Sequence, residues 1–167
     1  AYKRLGHRLN PTYSISKVMW VRDNQPDIWA RTRHICIAKD FINQKLTGVF
    51  VTEPSDASST NCFDQMNLTW DEEILRVANI PLSYFPKVVA STSIIGGLTK
   101  EAAAHTGLNV GTPVVAGGGD GPMAALGAGI IKPSDGAYAC MGSSSWVAVS
   151  TDKPLHDSKM RSMTWNH

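Results

Sequence analysis

Cysteine is scarce in this sequence of 167 residues, and the three that occur, Cys36, Cys62 and Cys140, lie far apart. An odd number of widely spaced thiols does not predict a disulfide framework, and it favours a protein of the reducing cytoplasm. Each cysteine lies beside apolar residues, so we expect three buried, unreactive thiols.

An excess of charge of either sign is also missing. Lysine and arginine number 16 against 14 for aspartate and glutamate, which gives a formal charge of +2. A nucleic-acid-binding surface needs a concentrated basic patch, so we expect no nucleic-acid partner. No apolar run reaches the roughly 18 residues that a membrane-spanning helix needs, and we expect no membrane partner. Residues 1–10 are basic and polar, without the apolar stretch of a secretory signal.

The sequence lacks the common signatures of nucleotide and metal sites. The string Gly142-Ser143-Ser144-Ser145 is not followed by the Lys-Ser/Thr pair of a P-loop. Residues 117–121 do not form a dinucleotide-binding motif, because Pro122 stands where its third glycine is required. The histidines show no ligand spacing with cysteines or carboxylates, so we expect no metal ligand directly in this chain.

What is present indicates a packed α/β protein, since 43% of the residues are hydrophobic and 18% are charged. The first half predicts mainly helices. Pro26 suits the first turn of one helix. Asp40 is a plausible N-cap of a second helix that Gly48 closes. Thr69 and Glu72 have the spacing of a capping box, which predicts a third helix over residues 70–78.

The second half changes in character after Gly107. Thr99 and Gly107 bracket a short alanine-rich helix. A brief apolar run at residues 113–116 leads into glycines, and residues 123–131 predict a tightly packed helix. Two β-prone runs then flank the small-residue string at 142–145, which predicts a β-hairpin. The segment 151–167 is polar and suggests a loosely held tail.

Asp120 is the leading candidate for a catalytic residue. It follows an apolar run and three glycines, whose missing side chains would let a ligand approach the backbone closely. A carboxylate in that place can accept a proton from a hydroxyl group. Asp before Gly-Pro is equally a good helix N-cap, and position alone leaves both interpretations open.

The turn that contains Gly142, Ser143 and Ser144 is the second candidate. A turn of small hydroxyl residues offers N–H and O–H groups to an anion, and such concavities bind phosphate groups. An ordinary polar hairpin turn would have the same composition, so this interpretation also stays open.

Several motifs occur in an order typical of one family. They are Ser14 to Asn24 with Lys17 and Trp20, Lys39-Asp40-Phe41, Leu46-Thr47-Gly48, Ser55-Asp56-Ala57-Ser58, Ile95-Gly96-Gly97-Leu98-Thr99, Gly111-Thr112-Pro113-Val114, Gly117-Gly118-Gly119-Asp120 and Gly142-Ser143-Ser144. Together they resemble the FGGY carbohydrate kinases, and within that family the xylulokinase-like members. The resemblance covers residues 11–151.

The resemblance implies an actin-like fold of two RNase-H-like lobes, with ATP and sugar in the cleft between them. Residues 1–131 would be the latter part of the N-terminal, sugar-binding lobe, and residues 132–167 the start of the C-terminal, nucleotide-binding lobe. The chain would then be an internal fragment of a larger kinase. Asp120 would activate the attacking sugar hydroxyl and, with Gly121, contact the sugar. Gly142, Ser143 and Ser144 would bind ATP phosphate.

The resemblance further implies ATP and Mg²⁺ as cofactors, a small-molecule sugar as substrate, and a cytoplasmic enzyme. It allows a homodimer of the full-length parent. D-xylulose or a related pentulose is the expected substrate. Xylulokinase-like members often have Asn where this sequence has Gly121, which keeps gluconate and other polyols open. A non-catalytic sugar-binding or scaffold lobe is the alternative from another class. The family's Mg²⁺-linked Asp and its adenosine-binding segment have no counterpart here, so we expect the isolated chain to be inactive.

Overall fold

Helices and short strands alternate along the chain in the computed structural model, which describes residues 1–143 and 145–166. The helices are α1 (Tyr2–Leu5), α2 (Ser14–Asn24), α3 (Pro26–Arg31), α4 (Ala38–Thr47), α5 (Pro54–Ala57), α6 (Glu72–Val77), α7 (Lys100–Thr106) and α8 (Asp120–Gly127). The strands are β1 (Val51–Thr52), β2 (Phe63–Asp64), β3 (Thr69–Trp70), β4 (Lys87–Val88), β5 (Ile94–Gly97), β6 (Pro113–Val115), β7 (Ala137–Met141) and β8 (Ser145–Val149). Short 3-10 turns lie at Ser58–Thr60, Leu82–Tyr84 and Pro133–Asp135.

The strands associate in pairs. β1 and β4 are parallel, and the segment between them carries α5, β2, β3 and α6. The other three pairs, β2 with β3, β5 with β6, and β7 with β8, are antiparallel. β6 leads directly toward α8, so the β5–β6 pair sets where the segment with Asp120 begins.

Several helix ends lie where local signals predicted them. Pro26 is the first residue of α3. The Thr99 hydroxyl accepts a hydrogen bond from the Ala102 N–H at the start of α7, and Gly107 ends that helix at φ +75°. Gly48 closes α4 with φ +78°. Left-handed backbone at these two glycines costs little because they have no Cβ.

Two predicted caps are wrong. Asp40 lies inside α4, whose N-cap is Ile37, and its carboxylate pairs with Lys39 instead. The third helix starts later than its predicted capping box, because Thr69 is in β3, paired with Asp64 of β2. Asp71 caps α6 by accepting the Ile74 N–H. An ion pair with the neighbouring lysine determines the role of Asp40, and a strand pairing determines that of Thr69.

The hydrophobic core contains residues of α2, α5 and α6 and of the strands between α5 and α6. Its buried members are Ile15, Ala57, Cys62, Phe63, Trp70, Leu75, Ala78 and Ile80. The rings of Phe63 and Trp70 meet edge to face at 5.6 Å, a favourable geometry for aromatic pairs. The Trp70 indole N–H donates to the Pro86 carbonyl at 2.8 Å, so its one polar group is satisfied in the core.

The polar segment after residue 150, which we expected to be a loosely held tail, is hydrogen-bonded to the start of the chain. The Thr164 N–H donates to the Gly6 carbonyl at 3.1 Å. The side-chain amide of Gln65 donates to the carbonyls of both Leu5 and Thr164 at 2.6 Å. The ends of the described chain therefore pack side by side on Gln65.

The predicted hairpin is confirmed, with Met141 paired to Ser145 at its closed end. Ser145 is therefore the first residue of β8. Of the cysteines, Cys62 is buried as expected, and burial raises its pKa to about 12. Cys36 is exposed, so the expectation of a buried thiol is wrong there. None of the helices in the described part of the chain has the length and apolar character needed to span a bilayer.

The core makes a direct prediction about stability. Leu75 in α6 is 1% exposed, whereas Val77 in the same helix is 72% exposed. Leu75→Ala should lower the free energy of unfolding by about 2–5 kcal/mol, because it leaves a cavity in the core. Val77→Ala, the matched control, should change it by less than about 0.5 kcal/mol. Urea unfolding of the 167-residue chain measures both, and equal effects would contradict this description of the core.

Candidate active site

Asp120 is the first residue of α8, and its side chain is solvent-exposed. The N-cap of that helix is Gly119, and no side chain caps it. One oxygen of the Asp120 carboxylate accepts the neighbouring Gly121 N–H at 2.8 Å. Asp120 is therefore not the N-cap, although its carboxylate accepts one of the first-turn N–H groups of α8 that have no partner within the helix.

The glycines before Asp120 are explained by packing within the protein. A Cβ on Gly118 would lie 2.6 Å from the Met123 side chain, and one on Gly119 would lie 3.3 Å from the Asp56 Cα atom. Gly117 has φ +80°, which other residues rarely adopt. The sequence suggested that these glycines leave room for a ligand. In the structure, atoms of the protein itself occupy the space beside Gly118 and Gly119.

A cluster of charged side chains lies behind this segment. The Lys39 ammonium group, on α4, lies 2.9 Å from the Asp40 carboxylate, 3.6 Å from that of Glu53 and 3.9 Å from that of Asp56. It also donates to the Ala116 carbonyl at 3.4 Å. One lysine thus contacts three carboxylates and also donates to the backbone that leads to Asp120.

Glu53 is fully buried and its carboxylate is well satisfied. Its two oxygens accept the N–H groups of Ser55 and Asp56 at 2.8 and 2.9 Å, which caps α5. The Ser91 hydroxyl donates to the same carboxylate at 2.7 Å. These hydrogen bonds and the nearby ammonium group offset the cost of burying a charge.

Burial raises the pKa of Asp56 to about 6, and the negative charges of Asp40, Glu53 and Asp120 add to that shift. The Lys39 ammonium group acts in the opposite direction. Burial likewise raises the pKa of Asp40, again opposed by Lys39.

The backbone between β6 and α8 is held from both sides. The Asn43 side-chain amide donates to the Ala116 carbonyl at 2.9 Å. The buried Gly119 N–H donates to the Ser55 hydroxyl oxygen at 2.8 Å. Side chains of α4 and α5 therefore fix the segment immediately before Asp120.

The second predicted site lies on the β7–β8 hairpin. Gly142 and Ser143 are exposed at its tip. Ser144, the third residue of that prediction, lies outside the described residues. Within the described chain, no hydrogen bond joins Asp120 to Gly142 or Ser143.

A cavity of about 600 Å³ lies between α8 and the hairpin. Gly121 and Pro122 line one side, Trp146 and Val147 of β8 line another, and Gln65 and the tail complete it. Asp120 is not among its lining residues, but its neighbour Gly121 is. The structure thus places the start of α8 and the second hairpin strand around one solvent space.

In the part of the chain that the structure describes, no group of three or more His, Cys, Asp or Glu side chains is arranged to hold a metal ion. The carboxylates nearest Asp120 already surround the Lys39 ammonium group. These residues therefore do not form a Mg²⁺ site by themselves.

The residues that support Asp120 were not among the predicted site residues. In the sequence, Lys39, Ser55 and Asp56 belong only to the family's motifs, and Glu53 belongs to none of them. One local signal was available, since Glu53 before Pro54 is an acidic residue placed to cap a helix.

Comparison with known proteins identifies the family. Residues 1–127 match the N-terminal domain of the FGGY family of carbohydrate kinases. The match covers most of the chain, and the chain belongs to this family.

Individual relatives agree with this assignment. The xylulose kinase of Lactococcus lactis subsp. lactis (strain IL1403) is 34% identical over 155 residues, which cover 93% of this chain and 30% of that protein. The gluconokinase of Bacillus licheniformis is 33% identical over 170 residues, which cover 99% of this chain and 33% of that protein. The chain thus spans about a third of the length of these relatives.

A solved structure supports the fold. The ligand-bound xylulose kinase from Lactobacillus acidophilus superposes with a TM-score of 0.91 at 24% identity, over 99% of this chain and 34% of that one. The expectation of an actin-like, RNase-H-like α/β fold, present here in part, is confirmed.

Asp56 yields a prediction about pH. Its pKa of about 6 lies above the ordinary value of 3.8. The folded chain therefore binds more protons than the unfolded chain between about pH 4 and 6, and stability is lost as the pH rises through that window. Asp56→Asn should raise the free energy of unfolding by about 1–3 kcal/mol at pH 8 and leave it nearly unchanged near pH 3.5.

Denaturant titrations at the two pH values measure this difference. Asp27→Asn is the control, because Asp27 is exposed at the start of α3. It should change the stability by less than about 0.5 kcal/mol at either pH. A gain for Asp56→Asn that is equal at both pH values would contradict the shifted pKa.

Proposed function

We propose that this chain is part of an ATP-dependent carbohydrate kinase, which transfers the γ-phosphoryl group of ATP to a sugar hydroxyl. The observation that carries the proposal is the exposed Asp120 carboxylate at the start of α8, in a chain that belongs to the FGGY family. Phosphoryl transfer depends mainly on positioning and charge stabilisation, and a base that orients the nucleophile is one contributor.

In this mechanism Asp120 accepts the proton of the attacking hydroxyl. Its hydrogen bond with the Gly121 N–H orients one carboxylate oxygen. The other oxygen has no hydrogen-bond partner in the described residues and is available to the substrate. Gly121 lines the cavity beside α8, which supports a sugar position next to Asp120.

Gly142, Ser143 and Ser144 are proposed to bind the ATP phosphates. Support comes from the exposed, small-residue tip of the β7–β8 hairpin, where backbone N–H groups can face an anion. For Ser144, this role is proposed only from its place in the motif.

A lobe boundary at residues 131/132 is part of the proposal. Residues 1–131 would belong to the N-terminal, sugar-binding lobe and residues 132–167 to the C-terminal, nucleotide-binding lobe. The short 3-10 turn at Pro133–Asp135 is compatible with a hinge there. Mg²⁺ would accompany ATP.

A pentulose such as D-xylulose is the proposed substrate, and gluconate is the second candidate. The similarity to a xylulose kinase supports the first, and the similarity to a gluconokinase over nearly the whole chain supports the second. The proposed enzyme acts in the cytoplasm on a small sugar, without a nucleic-acid or membrane partner. A homodimer of the full-length enzyme is part of the same expectation.

Activity of a full-length kinase that carries these residues tests the proposal. ATP consumption should depend on D-xylulose or D-gluconate in a coupled assay with a panel of sugars and polyols. Asp120→Asn should lower kcat by about 10²–10⁴-fold, because it removes the base. Asp27→Asn, which changes an exposed aspartate far from Asp120 in the sequence, should keep kcat within about twofold. Sugar-dependent turnover that survives Asp120→Asn would reject the catalytic assignment and favour a binding lobe.

The 167-residue chain by itself should show no sugar-dependent ATP turnover. It spans only about a third of the length of the kinases it matches, and its described residues do not form a Mg²⁺ site. The same coupled assay on the purified chain is the measurement, with the full-length enzyme as the positive control. Turnover by the isolated chain would show that these residues hold a complete site.

A further inference from the structure

The short segment that ends at Asp120 is clamped onto two helices. At its start, the Ala116 carbonyl accepts hydrogen bonds from the Asn43 amide at 2.9 Å and the Lys39 ammonium group at 3.4 Å. At its end, the Gly119 N–H donates to the Ser55 hydroxyl at 2.8 Å. The second contact is adjacent to Asp120 in the chain, so it bears most directly on the carboxylate.

The Ser55–Gly119 hydrogen bond is shielded from water. Both residues are buried, and Ser55 is 1% exposed. A Cβ at position 119 would lie 3.3 Å from the Asp56 Cα atom and 3.4 Å from the Ser55 carbonyl oxygen. The backbone at Gly119 therefore rests directly on α5. A buried N–H without a partner is unfavourable, so loss of the hydroxyl would leave this amide to find another acceptor.

Ser55 is itself held in place. Its own N–H donates to the buried Glu53 carboxylate at 2.8 Å, and the Ser91 hydroxyl donates to the same oxygen at 2.7 Å. The Ser58 hydroxyl donates to the Ser55 carbonyl at 2.8 Å. Because α5 is fixed by these bonds, the Ser55 hydroxyl is a rigid acceptor for Gly119.

A shift at Gly119 would be transmitted to Asp120. Gly119 is the N-cap of α8, and its carbonyl accepts the Met123 N–H at 3.0 Å. Its backbone therefore sets where the helix starts. The first residue of the helix is Asp120, so its Cα position follows directly from that of Gly119.

We propose that Ser55 is a positioning residue for Asp120, which acts by accepting the Gly119 N–H and so fixing the start of α8. The proposal rests on the proposed function, in which Asp120 is the base. It assigns a role in catalysis to a buried hydroxyl that does not contact the substrate.

The test compares Ser55→Ala with Thr60→Val in the full-length kinase that carries these residues. Thr60 is the control, because its hydroxyl is also buried and donates to the Ala57 carbonyl at 2.7 Å, but it is hydrogen-bonded neither to Ser55 nor to Gly119. Ser55→Ala should lower kcat by roughly 10–100-fold, since small displacements of a catalytic group cost about that much. The KM for ATP should stay within about twofold. Thr60→Val should keep kcat within about threefold, although both variants should lower Tm.

Amide hydrogen exchange provides a second measurement that does not depend on activity. In the same proteins, exchange over residues 117–121 should be at least about tenfold faster in Ser55→Ala and unchanged in Thr60→Val, because only the first loses the acceptor of the Gly119 N–H. If Ser55→Ala does not fold, Ser55→Cys, which keeps the bulk with a weaker acceptor, replaces it in both measurements.

The outcomes separate this inference from the proposed function. Faster exchange at residues 117–121 together with a selective loss of kcat supports the positioning role. Faster exchange with unchanged kcat, or equal losses of kcat in Ser55→Ala and Thr60→Val, overturns it. A wild-type enzyme that phosphorylates no sugar in the panel rejects the proposed function instead, whatever the exchange measurement shows.

Discussion

The buried carboxylate of Glu53 is the constraint around which the site is built. An ionised carboxylate in a protein interior costs several kcal/mol unless hydrogen bonds and a counter-charge compensate for it. Here the compensation comes from several parts of the chain: two N–H groups of α5, the Ser91 hydroxyl between β4 and β5, and the Lys39 ammonium group of α4. Satisfying one charge therefore brings α4, α5 and the segment before β5 to a common point.

The segment with Asp120 depends on the same arrangement. Lys39 reaches from the carboxylates to the Ala116 carbonyl, and α5, which Glu53 caps, presents Ser55 to Gly119. Asp56 shares this environment, where burial and neighbouring carboxylates raise its pKa to about 6. The proposed base thus follows a backbone segment that the shared lysine and α5 hold in place.

Local signals in the sequence predicted those elements whose cause is local. Pro26, the Thr99–Gly107 pair and the β-prone runs of the hairpin all predicted structure correctly, because each acts through its own backbone. The helix caps predicted at Asp40 and Thr69 were wrong, since a charge cluster determines the role of the first and a strand pairing that of the second. For the site, the order of the motifs identified the family and gave Asp120 prominence. The support for Asp120 could not be predicted in this way, because the hydrogen bond between Ser55 and Gly119 joins residues 64 positions apart.

The contact between the two ends of the described chain has a consequence for biosynthesis. Tyr2 and Ser162 are hydrogen-bonded although they are 160 positions apart, and Gln65 joins Leu5 to Thr164. Translation proceeds at about 5–20 residues per second, so the first helix emerges roughly ten to thirty seconds before its partners. During that interval Tyr2 and Gly6 lack their hydrogen bonds with Ser162 and Thr164. These contacts can therefore form only late in synthesis, after the segment that separates the partners has left the ribosome.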